Sequence, residues 1–122
     1  MIRWLAPLIL PLALWGCEPG NDAIASVSRE RAEALFLRNC AICHGEKGDG
    51  YGPRRGSLFR KPPDFRQPAW RRGRSLEQIR ASIRNGRPGS DMPAWKLLDD
   101  AEVAGLAAYV SDLATRDESG PG

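Results

Sequence analysis

Cys40-Ala41-Ile42-Cys43-His44-Gly45 decides the reading of this 122-residue chain. C-x-x-C-H is the attachment pattern of a c-type haem. Two thiols one helical turn apart reach the two vinyl groups on one edge of a porphyrin, and the histidine next in line offers an imidazole nitrogen to the iron. Other uses of these residues fit less well. A thioredoxin-like redox pair requires a strand-rich fold with the motif opening a helix, whereas a helical pattern precedes the motif here and strand patterns are absent. Structural zinc needs four ligands, and Cys40, Cys43 and His44 sit too close in sequence to close a tetrahedron alone. A plain Cys40–Cys43 disulfide leaves His44 without a purpose.

Outward from the motif, apolar spacing predicts three helices. The first runs from Ser28 to Asn39, with Ala32 and Phe36 four apart on one face. The second opens at Ser75, where Gln78 three residues on completes a capping-box pattern; Leu76, Ile79 and Ile83 follow at helical spacing and Gly86 is the stop. The third runs from Asp99 or Asp100 to Ala114, with Val103, Leu106, Ala107, Val110 and Leu113 on one side and Tyr109 flanking it. The fold class is therefore all-α. Between the first two helices, Gly45 to Arg74 is a 30-residue span of which ten are Gly or Pro. A structureless loop of that length is out of place in a compact domain unless it wraps something other than protein, and a haem meets that need.

Composition narrows the classes further. Hydrophobic residues at 42% and charged residues at 27% describe a globular chain rather than a disordered one. The lone histidine, His44, excludes sites built from two imidazoles, and three cysteines cannot all pair internally. A net charge of +3 is too mild to imply nucleic acid. A second iron ligand must come from far along the chain. Met92 is the one methionine besides Met1, and it sits in the turn-rich stretch Gly89-Ser90-Asp91-Met92-Pro93-Ala94-Trp95 rather than on an amphipathic helix where it would read as core filler. Lys47, Lys61 and Lys96 are poorer candidates because an amine must lose a proton to ligate.

With these residues in place the chain resembles the class I cytochromes c, small monohaem electron carriers, over about residues 28–115. The resemblance is carried by Cys40-Ala41-Ile42-Cys43-His44-Gly45, Gly48-Asp49-Gly50-Tyr51-Gly52-Pro53, Met92-Pro93-Ala94-Trp95 and the tyrosine-bearing last helix, and its loops look like those of bacterial periplasmic members. It implies three main helices with long Gly/Pro-rich loops around one covalent haem c. It implies that Ala32 and Phe36 pack on Leu106 and on Tyr109 or Val110, that the Pro53 carbonyl accepts a hydrogen bond from the ligand histidine, and that Trp95 packs near the haem. The implied iron ligands are His44 and Met92. The implied function is one-electron transfer between donor and acceptor proteins rather than catalysis, either as a free carrier or as a haem subunit of a larger oxidoreductase complex; a small peroxidase is the enzymatic alternative. An Arg-rich middle (Arg54, Arg55, Arg60, Arg66, Arg71, Arg72 and Arg74) departs from that pattern. It can pair with haem propionates, dock a partner or be solvated.

The N-terminus has its own logic. A positive start at Arg3, an uncharged Leu-rich run from Trp4 to Trp15 and the sequence Gly16-Cys17 form a secretory signal peptide over residues 1–16. The run is too short for a membrane span and carries Pro7 and Pro11. Leu14-Trp15-Gly16-Cys17 resembles a bacterial lipobox, which implies export to the periplasm and a lipid on Cys17 that contacts a membrane surface. Residues 17–27 then read as a tether and 116–122 as a flexible tail.

Overall fold

The computed structural model describes Met1 and residues 25–118. The expected signal peptide, Cys17 and most of the tether lie outside the described residues. Helix α1 (Arg29–Asn39) begins where expected, with the Ser28 hydroxyl accepting from the Arg31 N–H at 3.2 Å. Its buried residues Ala32, Leu35 and Phe36 repeat at helical spacing, whereas Leu37 points outward. A short helix α2 (Ala41–His44) follows almost without a break, so the motif is itself a helical turn.

Inside the long Gly/Pro span lie a 3-10 turn (Arg55–Ser57) and a helix α3 (Pro68–Arg72) that opens on proline, where the missing N–H costs nothing. Neither is visible as a periodic pattern because both are shorter than two turns. Helix α4 (Leu76–Asn85) carries the complete capping box, Ser75 and Gln78 exchanging side-chain and backbone bonds at 2.9 and 3.1 Å. Gly86 then takes a positive φ of 67° and ends it. Helix α5 (Asp100–Glu118) starts with Asp99 and Glu102 exchanging the same kind of bonds. It passes the expected end at Ala114 and takes 116–118 out of the tail. The apolar stripe stops near Ala114, but no glycine or proline follows until Gly120, so nothing stops the backbone ladder earlier. Among the described residues there is no strand, and none of the helices is long and apolar enough to cross a membrane.

The core forms where α1 crosses α5. Ala32 and Phe36 are buried with Leu106, Tyr109 and Val110, and the Phe36 and Tyr109 rings sit 5.3 Å apart at 48°. Gly105 is needed at the crossing, since a Cβ there would come to 2.5 Å from the Val27 side chain. The Val27 N–H donates to the Ala101 carbonyl at 3.1 Å and pins the incoming chain to α5. Ion pairs Arg29–Asp112 (2.9 Å) and Arg31–Glu102 (3.0 Å) tie the two helices at the surface, where such pairs contribute little individually. Helices α3 and α4 also pack on α5, and Arg84 pairs with Asp100.

Candidate functional site

A cavity of about 390 Å³ opens between α1–α2, the long loop and α4. That volume falls in the range of roughly 300–1,000 Å³ typical of small-molecule and cofactor sites. Cys40, Cys43, His44, Met92 and Trp95 all line it, although they come from segments about 50 residues apart. Its apolar wall comes from Phe36, Leu58, Phe65, Ile79 and Ile83. Ile79 and Ile83 of the α4 stripe therefore face the cavity, whereas Leu76 is exposed.

The motif is held by backbone. The carbonyls of Ile42, Cys43 and His44 would be orphaned at the end of a one-turn helix. They accept from the N–H groups of Arg54 (2.9 Å), Gly52 (3.3 Å) and Gly50 (2.8 Å). Donors at every second residue mean that the loop returns extended along the turn. Gly52 must come so close that a Cβ would overlap the Ile42 and Ala41 carbonyls. Pro53, out of phase with the donors, can lack an N–H without cost.

The same phasing corrects one expectation. Pro53 is exposed and does not line the cavity, and the buried Nδ1 of His44 has no hydrogen-bond partner. The implied bond to the Pro53 carbonyl is not formed. The His44 ring is positioned instead by Phe65, stacked on it at 4.8 Å and 22°, with Trp70 behind Phe65 at 4.6 Å. Phe65 is anchored by its N–H to the Gly48 carbonyl at 2.8 Å. Sequence reasoning passed over Phe65 and Trp70. A buried aromatic in Pro62-Pro63-Asp64-Phe65, amid turn residues, was the available signal, because an apolar ring in such a loop must pack on something.

Met92 is half-buried against the core and reaches the cavity from the loop between α4 and α5. The loop is folded back on α4 by the Trp95 N–H to the Ile83 carbonyl (2.9 Å) and the Arg87 N–H to the Met92 carbonyl (3.3 Å). Gly86 permits this approach, since a Cβ there would lie 2.7 Å from the Met92 carbonyl. Asp91 accepts from the Phe59 N–H at 2.7 Å and links the loop to the long Gly/Pro span.

These donors fit a haem. Burial pushes His44 down to about 4, so its imidazole is neutral at ordinary pH and has a lone pair to offer. Burial, helped by the neighbouring Cys43, pushes the Cys40 thiol up to about 12. Both thiols are free of disulfide bonding and face the cavity. Of the Arg-rich middle, Arg60 and Arg74 line the cavity. Arg55 lies 4.2 Å over the Tyr51 ring and donates to the Gly50 carbonyl at 2.7 Å, and Arg66 pairs with Asp64 at 2.9 Å. That pairing holds the Asp64 carboxyl below its usual range. Arg54, Arg71 and Arg72 are exposed.

Fold and cavity together define a small all-α protein built around one covalently attached haem. Residues 28–110 match the family described as cytochrome c oxidase, cbb3-type, subunit III, and the chain belongs to this cytochrome c family. It is 37% identical over 97 residues to the CcoP subunit of the cbb3-type cytochrome c oxidase of Azospirillum brasilense, covering 76% of this chain and 30% of that one. It is also 37% identical over 84 residues to cytochrome c6 of Tetradesmus obliquus, covering 68% and 88%. Among solved structures, the KustC0563 c-type cytochrome superposes with a TM-score of 0.56 at 28% identity, over 67% of this chain and 95% of that one. The chain spans about a third of the length of the CcoP relatives it matches. The expected all-α class I cytochrome c fold and the covalent c-type haem follow from this membership.

Proposed function

We propose that His44 and Met92 hold the iron and that the protein passes single electrons between periplasmic redox partners. The observation that carries this reading is the convergence of Cys40, Cys43, His44 and Met92 on one cavity. When bound, the haem supplies an iron that cycles between two oxidation states. The chain supplies the rest. His44 and Met92 would hold the iron as nitrogen and sulfur donors from two segments of the chain, which would keep oxygen and peroxide from it, and a thioether donor would raise the potential. The Gly50–Arg54 ladder and the Phe65 ring keep His44 in place, and Trp95 and Leu58 exclude water. Pro53 serves the motif as a backbone element rather than as a hydrogen-bond acceptor. This favours a carrier over a peroxidase. In the domain reading, residues 28–115 form the haem domain and the segment before it a leader and tether.

The similarity to CcoP subunits supports a place beside or within an oxidase-type respiratory complex. The Leu14-Trp15-Gly16-Cys17 pattern supports export and a lipid on Cys17. Stable anchoring requires more than one acyl chain, so the modification has to be multi-chain. Exposed Arg54, Arg71 and Arg72 suit a partner with an acidic face. Acid–organic extraction of protein matured with the haem-attachment machinery tests the cofactor assignment: haem stays with the polypeptide, and its release would refute the covalent bond. Stopped-flow electron exchange tests the docking: the rate falls as ionic strength rises, and a salt-independent rate would point to an apolar contact or a permanent complex.

A further inference from the structure

Helix α3 carries a charge and a ring contact that holding a haem does not require. From Gln67 to Arg74 the chain has three arginines and no acid. The flanking acids are engaged, Asp64 by Arg66 at 2.9 Å and Glu77 by Arg80 at 2.7 Å. Among the described residues the exposed guanidiniums of Arg71 and Arg72 have no hydrogen bond or ion pair. Trp70, on the same turn, is half-buried and lines the haem cavity. Its ring meets Phe65 at 4.6 Å, and Phe65 stacks on His44 at 4.8 Å. Three rings in contact therefore lead from the α3 surface to the imidazole. The Met92 side differs. Its exposed groups are apolar, Phe59 at 84% and Leu97 at 101%, and among the described residues the Phe59 ring touches no other ring.

We propose that α3 is the docking face for a redox partner with an acidic surface around its own one-electron centre, and that Trp70 and Phe65 couple that face to His44. The proposal rests on the carrier reading above and gives it a partner side and a path. Tunnelling falls off exponentially with distance and crosses packed groups better than voids, so a face backed by touching rings is favoured over one without them. One electron leaves the partner's donor and reduces the iron from ferric to ferrous. The rings are neither oxidised nor reduced, and no bond or proton moves. Arg71 and Arg72 have no acid of their own to neutralise them, so they are available to steer an acidic partner. Exposed ion pairs contribute little each, which suits a contact that must release after one transfer. The path is also fixed in place. Proline opens α3, α3 packs on α5, and the Phe65 N–H is held by the Gly48 carbonyl at 2.8 Å.

The test uses the full-length holoprotein with a ruthenium photosensitiser on a cysteine introduced at one of two exposed positions, Ala69→Cys on α3 or Leu97→Cys on the Met92 side. After a flash the label is the one-electron donor, and iron reduction is followed by absorbance. Rates are compared at equal driving force, using each variant's measured potential. Trp70→Ala slows reduction from the Ala69 label several-fold and changes the rate from the Leu97 label less than twofold, whereas Trp70→Phe, which keeps a ring, restores most of the loss. Equal slowing from both labels, or none, would overturn the path. Docking is read without electron transfer, by adding the redox-inert paramagnetic anion hexacyanochromate to the ferrous protein. Amide resonances broaden most at Trp70, Arg71 and Arg72, and the effect is lost in the double variant Arg71→Gln with Arg72→Gln. Broadening centred on Arg54, Phe59 or Leu97, or undiminished in the double variant, would overturn the face. Both arginines are exposed, so this arm keeps the proposal falsifiable should Trp70→Ala unfold. Reduction from Leu97 with none from Ala69 overturns the α3 proposal alone, whereas iron that neither label reduces overturns the carrier reading beneath it.

Discussion

The Cys40–Arg54 turn and the Gly86–Trp95 loop each bring an iron donor to the same cavity, but they are held in different ways. Around His44, three successive carbonyls take backbone N–H groups from Gly50, Gly52 and Arg54. Around Met92, two backbone bonds at 2.9 and 3.3 Å are supplemented by side chains, Asp91 to the Phe59 N–H and the Ser90 hydroxyl to the Met92 N–H. A ladder between main-chain groups tolerates almost any outward side chain, provided glycine stands where the backbones touch. A loop latched by side chains depends on which residues it carries. The nitrogen donor is therefore fixed by the local chain, and the sulfur donor by a few separable contacts that open at lower free energy.

The most severe way to break the comparison is to remove the group that both regions surround. Cys40→Ser with Cys43→Ser should leave a chain without a cooperative thermal transition in far-UV circular dichroism, since a domain this small loses the centre of its core. A sharp transition close to that of the parent would show that the two regions pack without haem.

Next in size is a methyl group on each side. Gly52→Ala pushes a Cβ into the Ile42 and Ala41 carbonyls, and denaturant titration of the holoprotein should show a loss of about 2–3 kcal/mol. Gly89→Ala, at φ 77° but with nothing within 4 Å, carries only the left-handed strain of about 1 kcal/mol. Equal losses would mean that the turn is no tighter than the loop.

Smaller effects should separate positioning from stability. Phe65→Leu removes the ring stacked on His44 and should cost about 1 kcal/mol beyond the lost area, with a changed anisotropy of the His44-ligated iron in electron paramagnetic resonance. Asp91→Ala removes the latch to Phe59. It should cost about 1 kcal/mol and speed hydrogen exchange at Met92 and Trp95 while leaving Gly50 and Gly52 protected. Uniformly faster exchange would erase the distinction between the two regions.

This contrast also explains what could be read from the amino-acid sequence. The motif and the Ser75–Gln78 capping box were legible because each depends on residue type at short spacing, whereas the α1–α5 crossing at Phe36 and Tyr109 was what the resemblance implied. The place of Met92 on the cavity was legible from the turn-rich stretch that carries it. Three features were not. The Pro53 expectation followed a resemblance and failed on phase, since the N–H donors fall at 50, 52 and 54 and turn Pro53 outward. Phe65 and Trp70 carry no periodicity, so the stacking of Phe65 on His44, with Trp70 behind it, emerges only when the loop closes. Arg87 stood outside the Arg-rich stretch, yet the Gly86 turn brings it to the cavity while Arg55 and Arg66 are spent on Tyr51 and Asp64.

The central claim is that His44 and Met92 together would hold the iron of a covalent haem, and Met92→Ala tests it most directly. Spectroelectrochemical titration and carbon monoxide binding on matured wild-type and variant protein should show a lower potential and a ligand-accessible iron in the variant alone, with haem still covalently attached. A variant that keeps the parent's potential and its resistance to carbon monoxide would show that another residue holds the iron.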